Sequence, residues 1–194
     1  MSKIQFRELK PQRRCTKILS TYVSYKKYLV DDFNCRCGYT DSHHRWFGGI
    51  STFHIDHFQP HKKFPALKTQ YSNLVYACSY VNILKSDDDP QNYLDPCNTD
   101  YNQHFFRDRS GRIYADPKSP KAIYMHKRLK LGLARYQVIW LLEKCDKSME
   151  QLEVLVKTLP NGSKEEMAVK IVYFELAKEF RAHLKFLAEW ASFS

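Results

Sequence analysis

Glycine is scarce, with 6 in 194 residues, and no low-complexity run interrupts the chain. Together with 14% aromatic residues, this points to an ordered globule rather than a disordered adaptor. No apolar stretch approaches the roughly 20 residues that cross a bilayer. The opening Met-Ser-Lys-Ile-Gln-Phe also lacks the apolar centre of a secretory signal. The expectation is a soluble, cytoplasmic protein with no membrane segment. Six cysteines, at 15, 35, 37, 78, 97 and 145, read as reduced thiols or metal ligands before disulfides. At 43% hydrophobic residues the chain supports one compact domain, or a small core with a helical extension, and has no room for two large domains.

Charge is abundant and unevenly placed. The formal net charge is +10. Residues 1–30 hold eight Lys/Arg against one acidic residue, and residues 118–135 hold six against none. Residues 31–117 carry nine basic and eleven acidic side chains. Two cationic segments around an acidic centre suit a partner with a phosphate backbone, held by the flanks while the centre holds a divalent cation. The same distribution also fits solvated basic helix faces.

Ile18, Tyr22, Tyr25 and Leu29 recur at helical spacing, so a helix is expected from about residue 14 to 31. Residues 32–53 contain Gly38, Gly48 and Gly49 and read as loop or short hairpin. The β-branched and aromatic run from Thr52 to Phe58, ended by Pro60, reads as a strand. Asn73-Leu74-Val75-Tyr76-Ala77-Cys78 reads as a second strand able to pair with it, and Ser79 to Lys85 as a short helix. A further hairpin is expected where Ser110-Gly111 separates Phe105-Phe106 from Ile113-Tyr114. Val138, Leu142, Cys145, Met149, Leu152, Val156 and Leu159 alternate steps of four and three, the period of a helix packed along a partner. Pro160-Asn161-Gly162 breaks that helix, and Ser163-Lys164-Glu165-Glu166 is a capping box for the next. Its apolar face is expected at Met167, Ile171, Phe174, Ala177, Leu184, Leu187 and Ala191, packing on the core or docking a partner. The expected fold class is α+β, organised as a basic arm and helix (1–32), a central core with its following hairpin (33–117) and a helical region (118–194).

The central strand, loop, strand and helix bring together groups suited to phosphodiester hydrolysis, which needs an activated water, a cation and a scaffold. Asp56 is a hard oxygen ligand for Mg²⁺ or Mn²⁺, and His57 beside it can take a proton near neutral pH. Adjacent strand residues face opposite ways, so both serve one site only if the strand ends or bends there, as Pro60 allows. Asn82, on the short helix, can complete the cation site. Asn73 can tie down the loop after His57 and so fix the imidazole.

His-Ile-Asp-His-Phe-Gln-Pro (54–60), then Asn-Leu-Val-Tyr-Ala-Cys (73–78), then Asn82 with Lys85 resembles the ββα-metal motif of HNH endonucleases. His57 and Asn73 stand sixteen positions apart, and Asn73 and Asn82 nine, both compatible with that motif. The resemblance implies a ββα nuclease core with His57 as general base, Asn73 as orienting residue and Asp56 with Asn82 as ligands of one catalytic cation. It further implies hydrolysis of double-stranded DNA to 5′-phosphate and 3′-hydroxyl ends. More loosely, Leu94-Asp95-Pro96, His104-Phe105, Gly111-Arg112-Ile113 and the basic segment around Leu129-Lys130-Leu131 look similar to HNH components of bacterial anti-phage systems of the Septu and retron-associated kind. Those work with an ATPase partner, which the resemblance implies here too.

Other readings stand beside these. An RNase acting, for instance, on tRNA could use the same site, and a nucleic-acid-binding subunit could carry a vestigial one. His54 shares a strand face with Asp56 and can reach a cation or substrate, or make a structural hydrogen bond. His61, Lys62 and Lys63 suit a phosphate or a solvated turn. Lys85 can contact a phosphate or lie exposed. His43, His44, His104, His126 and His183 read as structural or surface residues. Many HNH proteins brace the motif with zinc on two Cys-x-x-Cys knuckles, but this chain has Cys35-Arg36-Cys37 and Cys78-Ser79-Tyr80-Val81 instead. Either Cys35, Cys37 and Cys78 recruit His43 or His44 as fourth ligand, or packing replaces the structural zinc.

Overall fold

The computed structural model describes residues 3–191, with side chains through Glu189. The elements in chain order are β1 (Ile4–Gln5), α1 (Lys26–Asp32), β2 (Phe53–His57), β3 (Leu74–Cys78), α2 (Ser79–Lys85), β4 (Phe105–Arg107), β5 (Ile113–Ala115), α3 (Pro120–Arg128), α4 (Ala134–Val156) and α5 (Lys164–Ala191), joined by 3₁₀ turns. Helix and sheet are mixed, as an α+β reading requires. The chain divides into two units, Met1–Leu133 and Ala134–Ser194. The unit boundary therefore falls after α3, whereas the sequence reading drew lines at 32/33 and 117/118. Among the described residues no helix is long and apolar enough to cross a membrane.

Two antiparallel sheets lie in the first unit. β2 pairs with β3, with His57 opposite Leu74, Asp56 opposite Val75 and Phe53 opposite Cys78. β1, β4 and β5 form the other sheet in the order β1-β4-β5. Every residue of β3 is buried, while β2 alternates more, so β3 is the inner strand of its pair. Gly38 explains why the preceding loop can lie so close to β3: a Cβ there would stand 2.8 Å from both Phe33 and Val75 side chains. Only glycine fits, and its N–H bonds the Tyr76 carbonyl at 2.8 Å.

The hairpin at Ser110-Gly111 forms as expected, with Phe106 opposite Tyr114. α4 follows its periodicity, and Glu166 N–H bonds Ser163 Oγ at 3.1 Å in the anticipated cap of α5. Two expectations need correction. The first helix does not begin near residue 14: a 3₁₀ turn opens at Tyr22 and α1 at Lys26. Residues 14–21 run without helix because core groups hold them by other means. Tyr25 Oη accepts from Leu19 N–H and donates to the Lys17 carbonyl, and Ile18 is left 98% exposed. In α5 the face is rotated from the expected one. Ala177 and Leu187 are partly covered as expected, but Met167, Ile171, Phe174 and Leu184 are exposed and Val169, Tyr173, Leu176 and His183 are partly covered instead; Ala191 lies outside the described side chains.

The basic N-terminal arm is also less external than its composition suggested. Arg7 is buried, donates to the Gly38 carbonyl at 2.8 Å and stacks its guanidinium over Tyr101. Arg13 donates to the Leu74 carbonyl at 2.8 Å and to both oxygens of Asp95 at 3.0 Å. Arg13 ties the arm to the start of β3 and Arg7 ties it to the loop at Gly38, rather than facing a solvent partner.

Candidate functional site

The antiparallel β2–β3 pair runs directly into α2, and all four singled-out polar residues lie on this stretch. Asn73 precedes β3, with its main chain extending the ladder by one bond from Phe58 N–H to the Asn73 carbonyl, 2.8 Å. Its side chain clamps the loop between the strands. Oδ1 accepts from Gln59 N–H at 2.8 Å, and Nδ2 donates to the carbonyls of Gln59 at 3.0 Å and Leu67 at 3.4 Å. One amide thus holds both ends of that loop. The next carbonyl, that of Lys68, lies 2.9 Å from His57 Nε2. A carbonyl can only accept, so His57 Nε2 carries the proton and Nδ1 holds the lone pair.

His61 Nδ1 stands 3.3 Å from that His57 Nδ1, which makes His61 the donor of this pair. The Tyr22 ring meets the His57 ring edge-on with centroids 4.8 Å apart. Burial lowers the pKa of His57, and the neighbouring His61 and Lys85 lower it further, against the opposing effects of the Lys68 carbonyl and Asp56. The imidazole is therefore neutral, and basic at Nδ1, at pH 7.

Asp56 makes separate contacts. Its Oδ2 accepts from Tyr39 Oη at 2.6 Å, and Lys85 Nζ donates to Oδ1 at 3.1 Å and to the His57 carbonyl at 2.9 Å. Asp56 is 4% exposed and Lys85 0%. Lys85 is thus neither surface-exposed nor a free phosphate contact, but the internal counter-ion of Asp56. Asn82 precedes Lys85 by three residues on the same face of α2, and its Nδ2 stands 3.3 Å from His54 Nδ1. His54 is exposed, Lys62 pairs with Asp87 at 2.7 Å, and Lys63 is exposed.

The oxygen donors fit a hard divalent cation in part. Asn82 Oδ1 is not used in the contact with His54, and a carboxylate offers about four lone-pair sites, of which Tyr39 and Lys85 occupy only some. A cation there competes with the Lys85 ammonium. The softer donors group differently from the expected trio. Asn34 and Cys35 adopt left-handed backbone, at φ 51° and 59°, and turn the chain so that Arg36 bridges His43 and His44 N–H bonds the Cys35 carbonyl. Cys35, His43 and His44 then place ligand atoms within 4.8 Å of one another. Cys37 instead shares a side-chain hydrogen bond with Cys78 in the core. Val81, fully buried, fills the position where a second knuckle would carry cysteine. All six cysteines are free thiols.

Neither Tyr39 nor Tyr22 was read as a site residue from the sequence, where Tyr22 entered only as part of the helical stripe. Nothing in the spacing announces them, because their partners come from separate elements. Comparisons with models of known protein families, with curated proteins and with solved structures find no match.

Proposed function

We infer that the chain is a metal-dependent endonuclease of the HNH kind that hydrolyses DNA phosphodiester bonds. The observation that carries this reading is the chain of contacts from Asn73 through the clamped loop to the Lys68 carbonyl and His57 Nε2. It leaves one imidazole nitrogen, Nδ1, basic, as general-base catalysis requires. Asp56 on β2 and Asn82 on α2 supply the hard donors the motif needs.

In this reading a water takes the place of His61 at His57 Nδ1 and gives up its proton there as it attacks phosphorus. Asn73 acts through the loop as a positioning residue, and Tyr39 and Lys85 keep Asp56 oriented. A divalent cation on Asp56 and Asn82 would neutralise charge on the phosphoryl and departing oxygens. The looser likeness of residues 35–135 extends the proposal to an effector of anti-phage defence acting with an ATPase partner. That extension rests on the resemblance alone.

The test incubates purified protein with supercoiled plasmid, and in parallel with labelled RNA, in Mg²⁺, Mn²⁺ or EDTA. Wild type nicks or linearises the plasmid only with metal, and His57→Ala loses at least about a hundredfold in rate. Cleavage confined to RNA replaces DNA with RNA as substrate. Metal-independent cleavage, or full activity in His57→Ala, removes the proposed base. Binding without cleavage by wild type under every condition favours the nucleic-acid-binding subunit.

A further inference from the structure

The helical hairpin of the second unit carries another gathering of donor groups, independent of the nuclease reading. Cys145 on α4 is 5% exposed. Glu179 and His183 stand one turn apart on α5. The sulfur, a carboxylate oxygen and a ring nitrogen of these three lie within 4.8 Å of one another. His183 Nε2 is shut off from solvent and makes no hydrogen bond. It nevertheless stands 3.4 Å from Glu179 Oε1.

That spacing suits a shared ion better than a helix-surface pair. A charge-assisted N–H···O bond closes to about 2.8 Å. Two ligands of one tetrahedral Zn²⁺, with bonds of about 2.0–2.1 Å, stand roughly 3.3 Å apart and do not bond to each other. A buried imidazole nitrogen without a partner is a cost that a metal removes. The unit also needs a brace. Among the described side chains α5 buries no apolar residue, and Met167, Ile171 and Phe174 remain exposed. A two-helix hairpin with so small a core gains most from a cross-link.

We propose that Cys145, Glu179 and His183 form a zinc site that staples α4 to α5. One thiolate, one imidazole and one carboxylate favour Zn²⁺ over the all-oxygen cations Mg²⁺ and Ca²⁺. Cys145 loses its thiol proton to solvent on binding, His183 ligates through Nε2, and water fills the fourth position on the side where Glu179 is half exposed. Burial and the nearby Glu179 raise the pKa of the Cys145 thiol, so the metal-free form keeps its proton and binding is pH-dependent.

The experiment uses the full chain carrying Cys35→Ser, so that the other Cys-His-His group cannot contribute. After chelation it is titrated with Co²⁺ and then displaced with Zn²⁺. One equivalent of Co²⁺ gives a thiolate-to-metal charge-transfer band. His183→Gln weakens binding by roughly tenfold or more, Cys145→Ser removes the band, and Zn²⁺ raises the thermal midpoint of the parent but not of the His183→Gln chain. Absence of the band in a chain that remains helical by circular dichroism overturns the site, as does a band that survives Cys145→Ser. Should Cys145→Ser fail to fold, unchanged cobalt affinity in His183→Gln overturns it equally.

Discussion

At the residue scale, Asp56 is held by a phenol on Oδ2 and by an ammonium 3.1 Å from both of its oxygens, and Lys85 has no solvent to return to. Removing one partner of such a pair leaves a buried charge uncompensated, which costs about 3–5 kcal/mol. Lys85→Met is expected to lose that much in denaturant unfolding. The double variant Asp56→Asn/Lys85→Met should recover most of it, because neither charge then remains. Equal losses in the single and double variants would mean that lost packing around Lys85, not charge, sets the cost.

His57 gives a second residue-scale expectation, in pH. Burial, His61 and Lys85 lower its pKa from 6.5, so the base form persists below that value and the proposed cleavage should show its acid limb below pH 6.5. Because His61 is one of the lowering influences, His61→Gln should move the limb upward, towards 6.5. A rate profile from pH 5 to 8 reads both. A limb unmoved by His61→Gln would show that the pair at 3.3 Å is not coupled to the titration.

Elements were legible wherever local pattern and burial agree. The two strands, the short helix after them and the capped helix at Ser163 follow from the β-branched and aromatic runs, Pro60 and the capping box, because each signal is local. The expected helix failed over residues 14–21, since hydrogen bonds of the Tyr25 hydroxyl with Lys17 and Leu19 satisfy a non-helical backbone there. Within the candidate site, Asn73's clamp was foreseeable from its place between the strands, whereas Lys85's burial and Tyr39's partnership depend on packing that no spacing encodes. Asp88 is another such case. Its Oδ2 accepts from Tyr93 Oη at 2.9 Å, Tyr124 Oη at 2.6 Å and Arg128 Nε at 3.3 Å, tying the exit of α2 to α3. Burial alone would raise its pKa, but these bonds outweigh it and hold the carboxyl at about 2. A depressed carboxylate stabilises the fold above the unfolded value of 3.8, and that contribution is lost as pH falls from there to about 2. Asp88→Asn is therefore expected to cost about 1–3 kcal/mol at pH 7. The gap to wild type should narrow below pH 3.8, as followed by urea unfolding at stepped pH. A constant gap would assign the loss to packing.

For the whole molecule, the formal charge of +10 overstates what a polyanion meets, because part of it is spent inside the first unit. Arg13 pairs with Asp95 with both side chains largely buried, and Arg7 and Arg107 are buried among carbonyls. Lys63 is exposed on the loop that His57 enters. Counterion release distinguishes these classes, since each phosphate neutralised on duplex DNA adds about 0.9 to the slope of log K against log salt. In binding measurements on a short duplex with catalysis blocked by His57→Ala, Lys63→Ala should reduce that slope by about one. Arg13→Ala should leave the slope unchanged while destabilising the fold by about 3 kcal/mol through the stranded Asp95. If instead Arg13→Ala lowers the slope in a chain that remains folded, the N-terminal arm opens to meet the phosphate backbone. The ties from Arg13 to Leu74 and Asp95 would then belong to the free protein alone.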